Sequence, residues 1–351
     1  MDLTGRAVVV TGQAFSVEQG RVPDPAAGGL LLQQELGGIC GTDLHNWQNG
    51  LPEPTLLGHE AVGTVVALGS GRSRDYLGTP LREGDRVVYH PRNALGKPFG
   101  YRGLESPFSG GFAEYIHLDD PDACVIRTAT DPRTAVLAEP FAIGTHAVMR
   151  AEVQLGDTVL VQGSGAIGLM VMICARLSGA ARVIVIGGPS GRLALARRLG
   201  AHETIDIAVH SEREARHELV MDLTRGEGAD VVFECAGFLP AVPEGFGYVK
   251  QDGKFIECGH FVDIGEIPIN PARHILIPNI RVEGIWGSRF PHFVRGHALL
   301  EQSDLPIGEM VSHVLPLERV QAGFDALNGT YSLDGEDVVK IALAREPSMF
   351  D

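Results

Sequence analysis

No stretch of the chain approaches the ~20 continuous apolar residues that a membrane-spanning helix needs, so a membrane span is not expected. Its opening, Met1-Asp2-Leu3-Thr4-Gly5-Arg6, lacks a basic segment followed by an apolar core, and no signal peptide is expected. Cationic residues are scarce: 29 Lys and Arg stand against 44 Asp and Glu, a formal charge of -15. That balance argues against nucleic acid as a partner, because phosphate binding needs clustered Lys and Arg. Paired cysteines are missing too. Cys40, Cys124, Cys174, Cys235 and Cys258 are odd in number and widely scattered, with no C-x-x-C clip among them. This excludes a disulfide framework and suits reduced thiols in the cytoplasm. Internal repeats and low-complexity tracts are absent.

What is present fits a soluble α/β protein of more than one domain. At 351 residues the chain exceeds the size at which a single hydrophobic core keeps growing. The first ~140 residues read as β-rich, with short β-branched or apolar runs at 6–10, 30–32, 63–67 and 85–88 separated by turns. Residues 91–112 are rich in Gly and Pro, show no period and read as a long loop, a feature often functional in compact domains. From about residue 150 strands alternate with helices. Strands are expected at 159–162, 182–186, 230–235, 254–258 and 280–285, and helices at 166–177, 192–199 and 212–224. Strands joined by helices of this length imply right-handed crossovers and a doubly wound parallel sheet. After Gly287 the chain reads as mixed helix and loop. The expected domains are therefore 1–147, 148–288 and a return to the first domain over 289–351.

Two sets of residues carry chemistry. Gly163-Ser164-Gly165-Ala166-Ile167-Gly168 follows the apolar run Thr158 to Gln162 and opens a helical stretch. In that context Gly163 allows the tight turn, Gly165 lets backbone approach a pyrophosphate, and Gly168 permits close helix–strand packing. The helix start points free N–H groups and a positive dipole end at phosphate. The second strand ends Gly187-Gly188-Pro189-Ser190-Gly191-Arg192, without the acid that reads an NAD ribose. Ser190 and Arg192 are candidates to hold a 2′-phosphate, so NAD and NADP both stay open. Cys235 to Gly237 and Cys258 to His260 end later strands, where such sheets bind ligands; Cys235 and Gly259 are thus candidate cofactor contacts. The second set is Gly38-Ile39-Cys40-Gly41-Thr42-Asp43-Leu44-His45 followed by Gly58-His59-Glu60. Thiolate, imidazole and carboxylate are the donors zinc takes, and a catalytic site keeps one position for water or substrate. Trp47, Tyr89, Phe99, Tyr101, Phe112, Trp286 and Phe290 are candidate pocket walls that also suit a core.

In this order, the Gly38 to His45 run, Gly58-His59-Glu60-x-x-Gly63 and the Gly163 fingerprint resemble the zinc-dependent medium-chain alcohol dehydrogenases. The resemblance covers essentially the whole chain and lies nearest the polyol and threonine dehydrogenase branch. It implies a GroES-like catalytic domain beside a Rossmann domain. It also implies that Cys40 and His59 are zinc ligands, with Glu139 of Leu137-Ala138-Glu139-Pro140 as the third and Glu60 as its competitor. Neighbouring side chains diverge on a helix or a strand, which favours Glu139 over Glu60 beside His59. Asp43 looks like the carboxylate that orients the ligand histidine. Thr42 would take the proton from a secondary alcohol or polyol, His45 would pass it to solvent, and the nicotinamide would take the hydride. Relatives carry a second, structural zinc on four close cysteines; the 91–112 loop has none, so a single catalytic zinc is expected. Relatives also pair through the last parallel strand, so a homodimer or homotetramer is expected. Two other readings stay open: a zinc-free NADPH-dependent quinone or enone reductase on the same fold, and a non-catalytic NADP-binding regulator.

Overall fold

The computed structural model describes residues 2–103 and 108–350, so four positions of the expected 91–112 loop lie outside the described residues. The chain forms two compact units, Met1–Glu139 with Gly308–Asp351, and Pro140–Ile307.

The first unit is built on two sheets. The larger has seven strands, running from Val311–Pro316 through Lys340–Ala344, Leu30–Gly38, Glu60–Leu68 and Arg86–Tyr89 to Val125–Arg127, with Tyr115–Leu118 also paired to Leu30–Gly38. Alternation along Leu30–Gly38 and Glu60–Leu68 buries Leu30, Leu32, Ala61 and Val65 in one cluster with Tyr89, Phe99 and Ile116. The smaller sheet pairs Thr4–Gly12 with Ala14–Arg21 and Leu51–Leu56, and its Val8 and Val10 pack against Trp47, Phe112 and Phe324. Register decides what meets at the end of the larger sheet. Gly38 faces Glu60 on one side and Ala342 on the other, which carries the strand holding Lys340 to the Glu60 edge.

The second unit is a six-stranded, all-parallel sheet in the order Glu203–Asp206, Arg182–Gly187, Thr158–Gln162, Ala229–Glu234, Val249–Glu257, Arg281–Gly284. Val, Ile and Leu fill the central strands because both faces are covered by helices. The helix Ala166–Leu177 is buried from Gly168 through Ala175, and Ser190–Arg198 and Arg213–Leu223 return the chain between strands. Among the described residues no helix is long and apolar enough to cross a membrane.

Three differences from the sequence reading have physical causes. The units divide at 139/140 and 307/308 rather than at 147/148 and 288/289. The helix Phe290–Gln302 stays with the second unit because Gly296 lets it approach Phe141 and Thr145 of the helix Ala138–Ala151 closely. The C-terminal segment also holds the strands Val311–Pro316 and Lys340–Ala344, not only helix and loop; they complete the first unit's sheet. Finally, Trp47, Tyr89, Phe99 and Phe112 are core residues, and Trp286 is 74% exposed.

Candidate metal centre and dinucleotide site

Cys40 leaves the end of the Leu30–Gly38 strand and caps the helix Gly41–Asn49. Asp43, one turn in, accepts the Cys40 N–H at 2.9 Å through Oδ2, which fixes the direction of the thiol. The Thr42 hydroxyl lies 3.8 Å from Cys40 Sγ. His45 lies one turn further on, partly buried, with Nε2 2.9 Å from Asn49 Nδ2. Glu60 begins the neighbouring strand and His59 stands just before it. One donor atom each of Cys40, His59 and Glu60 lies within 4.8 Å of the others. The expectation that His59 and Glu60 diverge fails here because His59 precedes the strand and escapes its alternation. Glu139 is buried close by but is not part of that cluster.

Two residues that sequence reasoning did not assign complete the surroundings. Lys340 forms a buried ion pair with Glu60 Oε2, while Glu60 Oε1 is buried without a hydrogen-bond partner. The Tyr101 hydroxyl lies 2.8 Å from Asp43 Oδ1 and 2.6 Å from His59 Nδ1. A lone Lys inside the apolar run Val338-Val339-Lys340-Ile341-Ala342 was a readable sign of a buried acidic partner. Nothing local in the sequence singles out Tyr101 from the other aromatics.

The charges follow from this packing. Burial pushes the Cys40 thiol up, with Glu60 adding and His59 opposing. Burial would lower His59, but Asp43 and Cys40 outweigh it and hold the imidazole well above its usual range. Asp43 stays low despite burial because His59 and the donated hydrogen bonds from Cys40 and Tyr101 favour the carboxylate. Burial pushes Glu139 up to about 7, against the pull of His59. A thiol pushed up by its surroundings, a carboxylate with a buried oxygen that accepts no hydrogen bond, and a second buried acid close by form a donor set that suits a cation. A divalent ion would draw off the Cys40 and His59 protons, so the residues fit such an ion.

In the second unit, the fingerprint sits where the strand Thr158–Gln162 ends. Gly163 has φ 103°, and a Cβ there would stand 2.8 Å from the Ala236 nitrogen, so only glycine serves. Gly165 caps the helix that Ala166 and Ile167 begin, and no atom lies within 4 Å of where its Cβ would be, leaving open room for a phosphate. Gly168 packs against Gly163. Ser164 ties the loop to the next strand: its hydroxyl donates to Gly188 O at 2.9 Å and accepts the Gly188 N–H at 3.0 Å. That hydroxyl fills the place of a side chain at Gly187, whose Cβ would lie 2.5 Å from it. Of the two residues read as a phosphate clamp, Ser190 is exposed and Arg192 is 8% exposed, buried on its helix. An acid does reach this corner, from a strand not foreseen. Asp206 ends Glu203–Asp206 directly beside Gly187, with Oδ1 3.9 Å from the place of a Gly188 Cβ.

Cys235 and Gly259 do lie at strand ends, beside a second cluster of metal-ligand type, Glu234, Glu257 and His260. Here each carboxylate already has donors. Glu234 Oε1 accepts the N–H groups of Ala236 and Gly237 at 2.8 and 3.0 Å. Glu257 Oε1 accepts those of Gly259 and His260 at 2.9 and 3.1 Å, and His260 Nδ1 lies 3.0 Å from the same oxygen. These acids close the turns after two parallel strands.

Comparison with known proteins agrees with this geometry. The alcohol dehydrogenase GroES-like domain matches residues 26–128, and the zinc-binding dehydrogenase domain matches residues 166–302. The 5-exo-hydroxycamphor dehydrogenase of Pseudomonas putida is 31% identical, covering 89% of this chain and 94% of that one. An alcohol dehydrogenase from Thermotoga maritima superposes with a TM-score of 0.90 at 27% identity, covering 98% of this chain and 100% of that one. A zinc-binding dehydrogenase structure from Sinorhizobium meliloti, so described provisionally and bound to NADP, reaches 0.81 at 28% identity, covering 97% and 99%. The chain belongs to the zinc-dependent medium-chain alcohol dehydrogenase family. It is an oxidoreductase acting on alcohols with a nicotinamide cofactor.

Proposed function

We propose that the protein oxidises a secondary alcohol or polyol carbon to the ketone with one zinc ion in the first unit and NAD in the second. The observation carrying this reading is the meeting of Cys40, His59 and Glu60, one donor atom each within 4.8 Å of the others, with Glu60 Oε1 buried and without a hydrogen-bond partner. Bound there, a divalent cation would supply the Lewis acidity that lowers the pKa of an alcohol oxygen. Cys40 and His59 are the fixed ligands. Glu60 is the resting third ligand because one of its oxygens already lies in the cluster, and Glu139 is the buried acid that exchanges with it. This reverses the order the sequence suggested. Thr42, beside the thiol, accepts the alcohol proton, and His45 one turn along passes it to water. Gly163, Gly165 and the N–H groups of Ala166, Ile167 and Gly168 cradle the pyrophosphate, with Cys235 and Gly259 at the neighbouring strand ends.

The choice of NAD rests on Asp206. Its Oδ1 lies 3.9 Å from the place of a Gly188 Cβ, at the end of the second strand, where an acid accepts a ribose hydroxyl and repels a 2′-phosphate. Arg192, buried on its helix, is a weaker candidate for a phosphate clamp. The substrate class draws support from the hydroxycamphor relative. Association through the sheet edge is part of the reading: Arg281–Gly284 is an edge strand carrying Val282 at 42% exposure, and such edges need covering. The scattered free cysteines suit a cytoplasmic home.

One assay series tests this. Metal analysis of the purified protein should give one zinc per chain. Reduction of NAD over a panel of secondary alcohols and polyols should exceed reduction of NADP by ~10-fold or more in kcat/KM, and Asp206→Asn should narrow that ratio. A zinc-free protein that reduces enones with NADPH would replace the reading with the reductase. Bound cofactor without turnover of any alcohol or ketone would replace it with the regulator.

A further inference from the structure

Tyr101 is held in place with unusual force for a residue outside every sequence motif. Its backbone lies in the left-handed region at φ 57°, a conformation that a bulky side chain adopts only when its surroundings over-determine it. The surroundings do so. Its N–H donates to Leu56 O at 2.7 Å, and its ring packs on the core formed by Trp47, Leu57 and Phe112. The preceding Gly100 is pressed against Gly58 O, where a Cβ would stand 2.6 Å away.

The result is a hydroxyl inserted between two groups that would otherwise meet directly. Tyr101 Oη donates to Asp43 Oδ1 at 2.8 Å and lies 2.6 Å from His59 Nδ1. The direct His59–Asp43 separation is 3.4 Å, outside good hydrogen-bond range for N–H to O. A phenol has one hydrogen, and a carboxylate can only accept. With that hydrogen given to Asp43, the phenol oxygen presents a lone pair to His59 Nδ1. His59 must therefore carry a hydrogen on Nδ1, which leaves Nε2 as the nitrogen free to give up its hydrogen to a metal.

We propose that Tyr101 is a positioning residue that fixes the tautomer and ring orientation of His59 so that Nε2 is the metal ligand, Asp43 acting through it rather than directly. The inference rests on the zinc reading above. It assigns to this chain a phenol in the link that a carboxylate–histidine pair makes alone elsewhere.

The test uses the full-length protein and zinc alone, in competition with a chromophoric chelator. Wild type should bind one Zn2+ tightly, and Tyr101→Phe should bind it 10–100-fold more weakly, the usual range for a partner of a ligand histidine. The neighbouring buried phenol Tyr89, whose hydroxyl has no hydrogen-bond partner, supplies the control; Tyr89→Phe should leave the affinity within twofold. A merely structural role would lower the melting temperature of the metal-free protein and leave zinc affinity unchanged. A second measurement needs no variant. Long-range 1H–15N correlation in the zinc-loaded protein should show the His59 hydrogen on Nδ1. Equal zinc affinity in Tyr101→Phe and wild type, or the hydrogen found on Nε2, overturns the inference while leaving the zinc reading intact. A wild-type protein that takes up no zinc overturns the zinc reading and this inference with it.

Discussion

Among the described residues metal-type ligands gather twice, once in each unit, and the two clusters differ in what their carboxylates lack. In the second unit Glu234 and Glu257 each accept two backbone N–H groups, so the acids already have the partners that burial demands. In the first unit Glu60 accepts no backbone donor; one oxygen pairs with Lys340 and the other has no hydrogen-bond partner. A thiol joins the first cluster and none joins the second. Proximity is alike in both places. Unmet demand for a cation distinguishes them, and the Cys40 cluster alone has it.

The strongest way to break the comparison is to remove a ligand from each side. His59→Ala should strip the zinc from the purified protein and lower kcat/KM by on the order of 10^3-fold or more, since the Lewis acid supplies several kcal/mol. His260→Ala, its counterpart, should leave the zinc content at one per chain. Metal analysis beside steady-state kinetics decides it, and loss of zinc from the His260 variant would make the two clusters equivalents after all.

Next in size is the Lys340–Glu60 pair. Both side chains are almost wholly buried, so Lys340→Met leaves a lone charge in the interior and should cost about 3–5 kcal/mol. Adding Glu60→Gln removes that charge and should restore much of the loss. The comparison is sharpened by metal: a bound cation gives Glu60 a second partner, so Lys340→Met should be less destabilised with zinc than after chelation. Urea unfolding of the single and double variants, with and without chelator, measures this. Equal losses in both conditions would mean that Glu60 does not face the ion.

Much of this difference was written in the sequence, and the unreadable part has one physical cause. The parallel sheet was legible because Thr158–Gln162, Arg182–Gly187 and Ala229–Glu234 are apolar runs separated by helical periods, and the helix Ala166–Leu177 begins where its fingerprint says it must. Motif order picked out Cys40, His59 and Glu60, which the fold brings within 4.8 Å of one another. What escaped were partners brought in by register from far away. Asp206 lies on a four-residue strand too short to show a period, and it matters only because it pairs beside Gly187. Lys340 reaches Glu60 through two strand pairings, and Tyr101 reaches His59 through a loop without pattern. The same gap bears on the choice between Glu139 and Glu60, because local alternation could not foresee that His59 lies before the strand.

The smallest expected effect concerns pH and the second cluster alone. Burial, with the charge of Glu257 adding, pushes the Glu234 carboxyl up to about 8 from an ordinary 4.5. The folded protein then keeps a proton that the unfolded chain releases above its own pKa. Stability from this group is therefore full below about pH 4.5 and is lost as pH rises through about 8. Glu234→Gln keeps an oxygen for the Ala236 and Gly237 N–H groups but cannot release a proton. It should flatten the fall in stability between pH 5 and 8 by about 1–3 kcal/mol, read from urea midpoints at each pH. Zinc content should stay the same throughout, because this cluster holds turns together and not an ion. A variant whose stability falls as steeply as wild type would show that Glu234 is ionised across that range, its charge met by something other than a shared proton.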